Sequence, residues 1–307
     1  RADSDGFTAQ VEVLRGELAR LLVAAGEPDV DYVFGEQICA LRQHDAGVDV
    51  TLAGQGVRRF DLVVLAEGAR SRTRDLVFGP AAVRDLGLYT GYGTIPRTSA
   101  DDGWWSWYNA PGGRVITVRP DNLGTTRVTL SFLSGPCGDE DAPRTAQRAA
   151  LVARFAGAGW QAPRILDALS RTDELYLDYL QQVRVPAWTA GRVALLGDAA
   201  WCPTPISGMG TTLAITGGYV LATELAAGGG SIEAGLRRYE ARMRPLVLRA
   251  QRLPPGTPRL AHPKSRAGVA ALRTAVRLAA TRPARALVSR LGAGDHEADR
   301  DDVLGDR

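Results

Sequence analysis

One stretch constrains this chain more than any other. Arg192-Val-Ala-Leu-Leu-Gly197 runs straight into Asp198-Ala-Ala-Trp-Cys-Pro-Thr-Pro-Ile-Ser-Gly-Met-Gly-Thr-Thr212. A short, unbroken apolar run closed by glycine and an acid reads as a strand buried on both faces, the pattern of a parallel sheet. Asp61-Leu-Val-Val-Leu-Ala66 repeats it. Together they place the chain in the α/β class. Asp198 then lies at the carboxyl end of a parallel strand, where open α/β sheets bind ligands, and its carboxylate can accept hydrogen bonds from sugar-like hydroxyls. A two-proline loop leads to Gly208-Met209-Gly210 and a helix predicted over 210–227. Without Cβ atoms, Gly208 and Gly210 let a flat ligand approach the backbone. The N–H groups from Gly208 to Thr212 are predicted to be unsatisfied at the helix start and to favour negative charge there.

The flanking chain supplies the rest of the architecture. Val11, Leu14, Leu18, Leu21 and Leu22 recur at helical spacing up to Gly26, with Pro28 just beyond. Apolar runs follow at Val30–Phe34 and Ile38–Gln43, and Val48, Val50 and Leu52 alternate as one face of a half-buried strand. Between about 86 and 135, Tyr89, Tyr92, Trp104, Trp105, Trp107, Tyr108 and Phe132 crowd among short β-rich runs and turn residues, which predicts an inserted antiparallel sheet. Helices are expected at Thr145–Ala156, with Thr145 as N-cap, and at Pro163–Leu169. Arginine alternates with apolar residues at helical spacing over Ser231–Arg252 and Arg266–Leu291, and the polar end from Asp295 to Arg307 is expected to fray. The expected division is 1–80 and 183–228 in one domain, 81–182 in the inserted one, and 229–307 as a helical C-terminal extension.

Charge and cysteine usage exclude several function classes. Lys and Arg total 37 against 34 Asp and Glu, a net of +3, too little to make nucleic acid the partner. The basic stretch from Arg266 to Arg290 reads as a solvated helix face. Three cysteines without a CxxC spacing and three widely separated histidines argue against a disulfide scaffold and a metal site. No apolar run reaches the roughly 18–20 residues that span a bilayer, and no signal peptide is visible, so a cytoplasmic location is expected.

The Gly197-Asp198 segment resembles that of the class A FAD-dependent monooxygenases, the para-hydroxybenzoate hydroxylase type. A second match is Asp61-Leu-Val-Val-Leu-Ala-Glu-Gly-Ala-Arg-Ser-Arg-Thr-Arg74, which resembles the family's Asp-Gly motif with Glu67 in place of the aspartate, followed by Gly68 and closed by Arg74. A third is Val13-Leu-Arg-Gly-Glu-Leu18, whose Arg15 matches an arginine that opens a helix and contacts the flavin side of FAD. The three motifs lie in family order across about residues 10–250. The resemblance implies a glutathione-reductase-type, Rossmann-like FAD-binding domain with the antiparallel insertion as its substrate domain. It implies that Arg15, Glu67, Gly68, Arg74, Gly197, Asp198, Pro205, Gly208, Met209, Gly210, Thr211 and Thr212 hold the cofactor. Asp198 would bind the ribityl hydroxyls, and the helix start would face the pyrimidine edge of the ring. It further implies NAD(P)H as reductant, O2 as co-substrate, and oxygen transfer through a flavin C4a-hydroperoxide to a small aromatic or polyketide-like substrate.

Departures are visible too. Trp201 stands where His or Tyr is common, Met209 where Gln is, and Thr212 where Asn is. No GxGxxG occurs, so the turn that cradles the FAD pyrophosphate is missing from the sequence. Two alternatives follow: a non-catalytic flavoprotein fragment, or a flavin-dependent reductase or oxidase on the same scaffold. Cys202 in the loop reads as a small buried hydrophobe. No side chain is assigned a catalytic role. Trp105-Ser-Trp107 resembles part of the flavin-dependent halogenase Trp-x-Trp-x-Ile-Pro motif, but Tyr108-Asn-Ala-Pro111 breaks it. In a strand, Trp105 and Trp107 share one face and Trp104, Ser106 and Tyr108 the other; one lines the substrate pocket, the other packs as core.

Overall fold

The computed structural model describes residues 13–279 apart from Asp173, Gly228 and Pro255. Its chain divides into two units, one running to Arg84 and resuming at Gln181–Leu253, the other comprising Asp85–Leu180 and the residues from Pro254 on.

The first unit is organised around β4 (Val63–Leu65) and β11 (Val193–Leu195), paired in parallel with Val63 opposite Val193 and Leu65 opposite Leu195. The two-residue β10 (Thr189–Ala190) pairs antiparallel on the far side of β11. All three β11 residues are fully buried, as the apolar run requires. β4 departs from the sequence reading: Val63 and Leu65 are buried but Val64 is 38% exposed, because β4 ends the sheet order and no layer among the described residues covers that face. A separate antiparallel sheet is built from β1 (Ile38–His44), β2 (Gly47–Leu52) and β3 (Gly56–Phe60), with Val48 and Val50 of β2 turned into the core.

Among the described residues, five helices complete this unit. α1 (Arg15–Gly26) carries the expected apolar stripe, yet none of it is buried, and Leu21 and Leu22 stand more than half exposed. Val11 lies outside the described residues. Val30–Phe34 forms no strand; it is irregular chain that leaves Phe34 84% exposed. α2 (Arg72–Phe78) is capped by Ser71, whose hydroxyl accepts from the Arg74 N–H at 3.0 Å. α5 (Asp198–Trp201) is a single turn directly after β11. α6 (Gly210–Ala226) packs Leu213, Val220 and Leu221 inward, and α7 (Ile232–Ala250), capped by Ser231, packs Tyr239, Met243 and Val247. The Tyr239 hydroxyl donates to the Leu195 carbonyl at 2.8 Å, tying α7 to β11.

β5 (Ala82–Pro96), β6 (Ser106–Ala110), β7 (Arg114–Pro120), β8 (Thr125–Leu133) and β9 (Leu175–Arg184) form one sheet in the order β6-β7-β8-β5-β9, which belongs to the second unit apart from the start of β5, up to Arg84, and the end of β9, from Gln181. It is the antiparallel sheet expected from the aromatic-rich stretch, extended by β9. α3 (Arg144–Phe155) and α4 (Ala162–Ser170) cover one face, where Tyr89, Ile116, Leu130 and Phe132 pack against Leu151, Phe155 and Ile165. Thr145 is not the cap of α3; Pro143 is, with its carbonyl accepting from Ala146 and Gln147. A buried ion pair braces the unit: Arg164 donates to both carboxylate oxygens of Asp101, at 2.9 and 2.7 Å, and Thr98 and Thr126 donate to the same group.

Of residues 229–307, expected as one helical extension, the described part divides at Leu253. α7 belongs to the core of the first unit, whereas α8 (Thr257–Ala261) and α9 (Arg266–Ala279) belong to the second. There the Gly112 N–H donates to the Lys264 carbonyl at 2.8 Å, and Asn109 donates to the Ala261 carbonyl at 2.7 Å. The part of the expected helix beyond Ala279, and the polar end from Asp295, lie outside the described residues. Among the described residues no helix is long and apolar enough to cross a membrane, and no cluster of His, Cys, Asp or Glu could hold a metal ion.

Candidate functional site

The chain leaves β11 through Gly197, whose φ of 63° turns it sharply out of the sheet. From there the loop separates into a buried root and an exposed crest. Trp201 to Thr204 are buried; Pro205, Gly208, Met209, Thr211 and Thr212 are exposed. On the crest, the Gly208 N–H donates to the Pro205 carbonyl and the Met209 N–H to the Ser207 hydroxyl. The expectation that every N–H from Gly208 to Thr212 is open is therefore corrected: the tight turn at Pro205–Ser207 consumes the first two. Gly210, Thr211 and Thr212 remain, with no acceptor among the described residues, since the first bond of α6 runs from Leu213 to Met209. Three open donors at the start of a 17-residue helix form a local positive pole.

Asp198 stands beside that pole. A Cβ built on Gly210 would lie 4.0 Å from Asp198 Oδ1. The residue is open to solvent, yet the protein packed round its carboxyl raises the pKa above the usual carboxylate range, while the Arg15 cation and the Cys202 thiol pull it down. Arg15 on α1 thus lies within electrostatic reach of Asp198 after β11.

Glu67, Gly68 and Arg74 form a second cluster, after β4. Ser71 and Thr73 donate to the two Glu67 carboxylate oxygens, the latter at 2.7 Å, so the carboxylate is held by the first turn of α2. Arg74 does not pair with it. Its side chain is buried, with Nε donating to Asp75 at 3.0 Å and Nη1 donating to the carbonyls of Ala69 at 3.0 Å and Ala199 at 3.1 Å. Ala199 follows Asp198, so Arg74 is a physical strut between the two motif loops.

Thr204, not singled out from sequence, is the strained residue of the loop. Its φ of 79° with ψ of 147° is a region that β-branched side chains avoid, a cost of about 1–3 kcal/mol. Its hydroxyl is buried without a partner, which costs about as much again. Gln182 and Gln251 were missed as well. Both are buried, and both bond to the backbone of the root. The available signal was glutamine in otherwise apolar surroundings, Tyr179-Leu-Gln-Gln-Val183 and Leu248-Arg-Ala-Gln251.

In the second unit the two faces of β6 are distinguished. Tyr108 turns to the helices, donating to the Ala158 carbonyl at 2.9 Å and stacking on Trp160. Trp107 is 55% exposed on the other face, 5.2 Å from the Trp105 ring, and Arg119 lies over Trp105 at 5.3 Å. Tyr92 and Tyr176 stack at 5.8 Å on the neighbouring strands β5 and β9.

A glycine-rich crest, an acid at a strand end and a donor-rich helix start suit a dinucleotide cofactor, and comparison with known proteins decides which. The family model for the FAD binding domain matches residues 9–253. The chain belongs to the FAD-binding domain family. This is the class A FAD-dependent monooxygenase family that its three motifs resemble. An uncharacterised protein of Mycobacterium tuberculosis is 35% identical over 243 residues, covering 78% of this chain and 65% of that protein. The flavin-dependent monooxygenase eupH of a Phoma species is 36% identical over 300 residues, covering 89% of this chain and 70% of eupH. Among solved structures, the tetracycline destructase Tet(51) matches with a TM-score of 0.71 at 30% identity, over 78% of this chain and 65% of Tet(51). The chain thus spans just under two thirds of the length of the first and last of these.

The family's cofactor can be tested against the residues present. Three open N–H groups, an acceptor beside them and an exposed crest suit the ribityl chain and ring of FAD. For the pyrophosphate the sequence offers no GxGxxG turn.

Proposed function

We propose that this chain is the ring-binding part of a FAD-dependent monooxygenase that uses NAD(P)H and O2 to hydroxylate or oxygenate a small aromatic or polyketide-like molecule. The observation that carries this reading is the Asp198 carboxylate set beside the open N–H groups of Gly210, Thr211 and Thr212. Asp198 accepts hydrogen bonds from ribityl hydroxyls, and the Arg15 cation offsets part of the burial that raises its pKa. The three N–H groups stabilise negative charge on the pyrimidine edge of the ring, where a fixed dipole needs no reorganisation as charge develops. Pro205, Gly208 and Met209 form the surface against which the ring lies. Glu67, Gly68 and Arg74 fix the neighbouring loop, with Arg74 acting through Ala199. Bound FAD supplies the redox chemistry, accepting electrons from the nicotinamide and activating O2, which no side chain in this constellation can do.

The aromatic substrate class is supported by the exposed face of the second unit, where Trp105, Trp107, Tyr92 and Tyr176 offer flat apolar surface and Arg119 a cation. Tet(51) is named for a tetracycline, a fused-ring polyketide, which fits the same class. The test is direct. Purified chain is titrated with FAD and its visible spectrum recorded, and oxidation of NADH or NADPH is then followed with candidate aromatic substrates. A structured bound-flavin band and a product carrying one added oxygen atom are expected. NAD(P)H oxidation without oxygen in the product would favour the reductase or oxidase alternative.

A second reading has its own observation. The outer edge of β4 is unpaired among the described residues, Phe34, Leu21 and Leu22 are exposed, and no GxGxxG is present. On this reading these residues alone hold flavin weakly and do not turn over. Flavin lost on gel filtration, together with no NAD(P)H oxidation, is its expected result.

A further inference from the structure

We infer that Gln182 and Gln251 form an amide clasp that positions the cofactor loop. The inference rests on the reading of Asp198–Thr212 as the flavin-facing segment. Its starting point is the backbone of the loop's buried root. The carbonyls of Trp201, Cys202 and Pro203 leave a one-turn helix and enter a turn, so regular secondary structure offers them no partner. Each is nevertheless bonded. Trp201 O accepts from Gln251 Nε2 at 3.0 Å, Cys202 O from the Val183 N–H at 3.1 Å, and Pro203 O from Gln182 Nε2 at 3.3 Å.

The two amides are also tied to each other's elements. Gln182 Nε2 donates its second proton to the Gln251 carbonyl at 3.0 Å, and Gln251 Nε2 donates its second to the Val183 carbonyl at 2.7 Å. All four amide protons face carbonyl oxygens, so flipping either amide would set lone pairs against lone pairs; the orientation is dictated chemically. The clasp joins the end of β9, the end of α7 and the loop root, three segments distant in sequence. Both glutamines are buried, so water cannot substitute for a lost donor.

What the clasp fixes is backbone position. The side-chain groups nearby are left unsatisfied: Gln182 Oε1 and the Thr204 hydroxyl are both buried without partners. A loop selected for stability alone would pair such groups and would not hold Thr204 at a φ of 79°. The root is instead held at its carbonyls in an unfavourable shape, and the crest from Pro205 to Thr212 starts from that shape. A displaced root would carry the open N–H groups away from the ring while leaving them intact.

The experiment uses the full chain with Gln182→Met, Gln251→Met and the double substitution, which keep side-chain length and remove the donors. Gln251→Leu, which removes both donors without setting a carboxyl against the Val183 and Trp201 carbonyls, is a second probe should a methionine variant fail to fold. Asp198→Asn is the reference for the cofactor site itself. Each protein is melted without FAD, titrated with FAD, and examined for the visible spectrum and midpoint potential of the bound flavin. The expected result is a cooperative melt, an FAD affinity lower by about tenfold or more as a positioned group moves, altered flavin fine structure and a shifted potential. The double variant should be little worse than either single one, since each breaks the same clasp. A lower melting temperature with wild-type affinity, spectrum and potential would overturn the inference and leave the glutamines purely structural. If Asp198→Asn weakens binding and the glutamine variants do not, the clasp alone is wrong. Should wild type itself take up no FAD, the flavin reading falls and the clasp with it.

Discussion

Gly217 and Gly218 are adjacent residues of α6, and the structure separates the outcomes of their alanine variants. In a helix interior, alanine is favoured over glycine by about 0.8–1 kcal/mol, and both substitutions gain that. The surroundings differ. A Cβ on Gly217 would lie 2.9 Å from Trp201 Cζ2 and 3.0 Å from Leu196 Cδ1, whereas one on Gly218 meets nothing nearer than Leu196 Cδ2 at 4.0 Å. Trp201 cannot easily yield: it is fully buried, with the Trp188 ring 4.6 Å and the Tyr239 ring 6.2 Å from its own. Overpacking of this kind costs about 1–3 kcal/mol. Gly218→Ala should therefore stabilise by about 0.8–1 kcal/mol. Gly217→Ala should fall between neutral and about 2 kcal/mol destabilised, its propensity gain offset by the clash. The difference between the two cancels the propensity term and isolates the clash. Urea denaturation, comparing midpoints at unchanged slope, measures it. Equal stabilisation of both variants would refute the packing of α6 on Trp201, and with it the placement of the loop root that begins there.

Other consequences follow from the same residues. Asp198→Asn removes the carboxylate acceptor of the proposed flavin site, and hydrogen bonds to charged groups contribute about 1.5–3 kcal/mol, so FAD affinity measured by fluorescence titration should fall roughly ten- to hundredfold. Asp101 is held at a pKa of about 2 against an ordinary 3.8, first by its hydrogen bonds to Arg164. Because the folded value is the lower one, its contribution is complete above pH 3.8 and is lost as pH falls toward 2. It should amount to about 2 kcal/mol, so Asp101→Asn should flatten the acid limb of a stability-versus-pH curve in that window. Arg74→Met should destabilise by about 1.5–3 kcal/mol by leaving the Ala69 and Ala199 carbonyls without their charged donor, and should lower FAD affinity as well. An unchanged melting curve for that variant would remove the strut between the two motif loops.

Much of this molecule was legible in one dimension. An apolar run closed by Gly197 and Asp198 reads as a buried strand that ends at a polar edge, and Val193–Leu195 is that strand. The antiparallel insertion was equally visible, because alternation, aromatic crowding and turn residues are local properties. So was the donor-rich helix start, since glycine and proline spacing sets where a helix can begin.

What sequence could not decide was which partners distant groups would find. Glu67 and Arg74, seven residues apart in one motif, turn away from each other, one to the hydroxyls of Ser71 and Thr73 and the other to Ala199 across the sheet. The apolar stripe of α1 promised a buried face and received an open one, because periodicity states that a face is apolar and says nothing of what covers it. Residues 229–307 looked like one helical extension, and only packing divided their described part at Leu253. Gln182 and Gln251 meet at the loop root because β9, α7 and the loop converge there in three dimensions. Chain-local chemistry thus determined the strands, the glycine-rich crest and the acid beside it. Burial and hydrogen-bond partnership between residues as far apart as Arg74 and Ala199 are fixed only when the chain closes on itself, and those the tertiary structure alone decided.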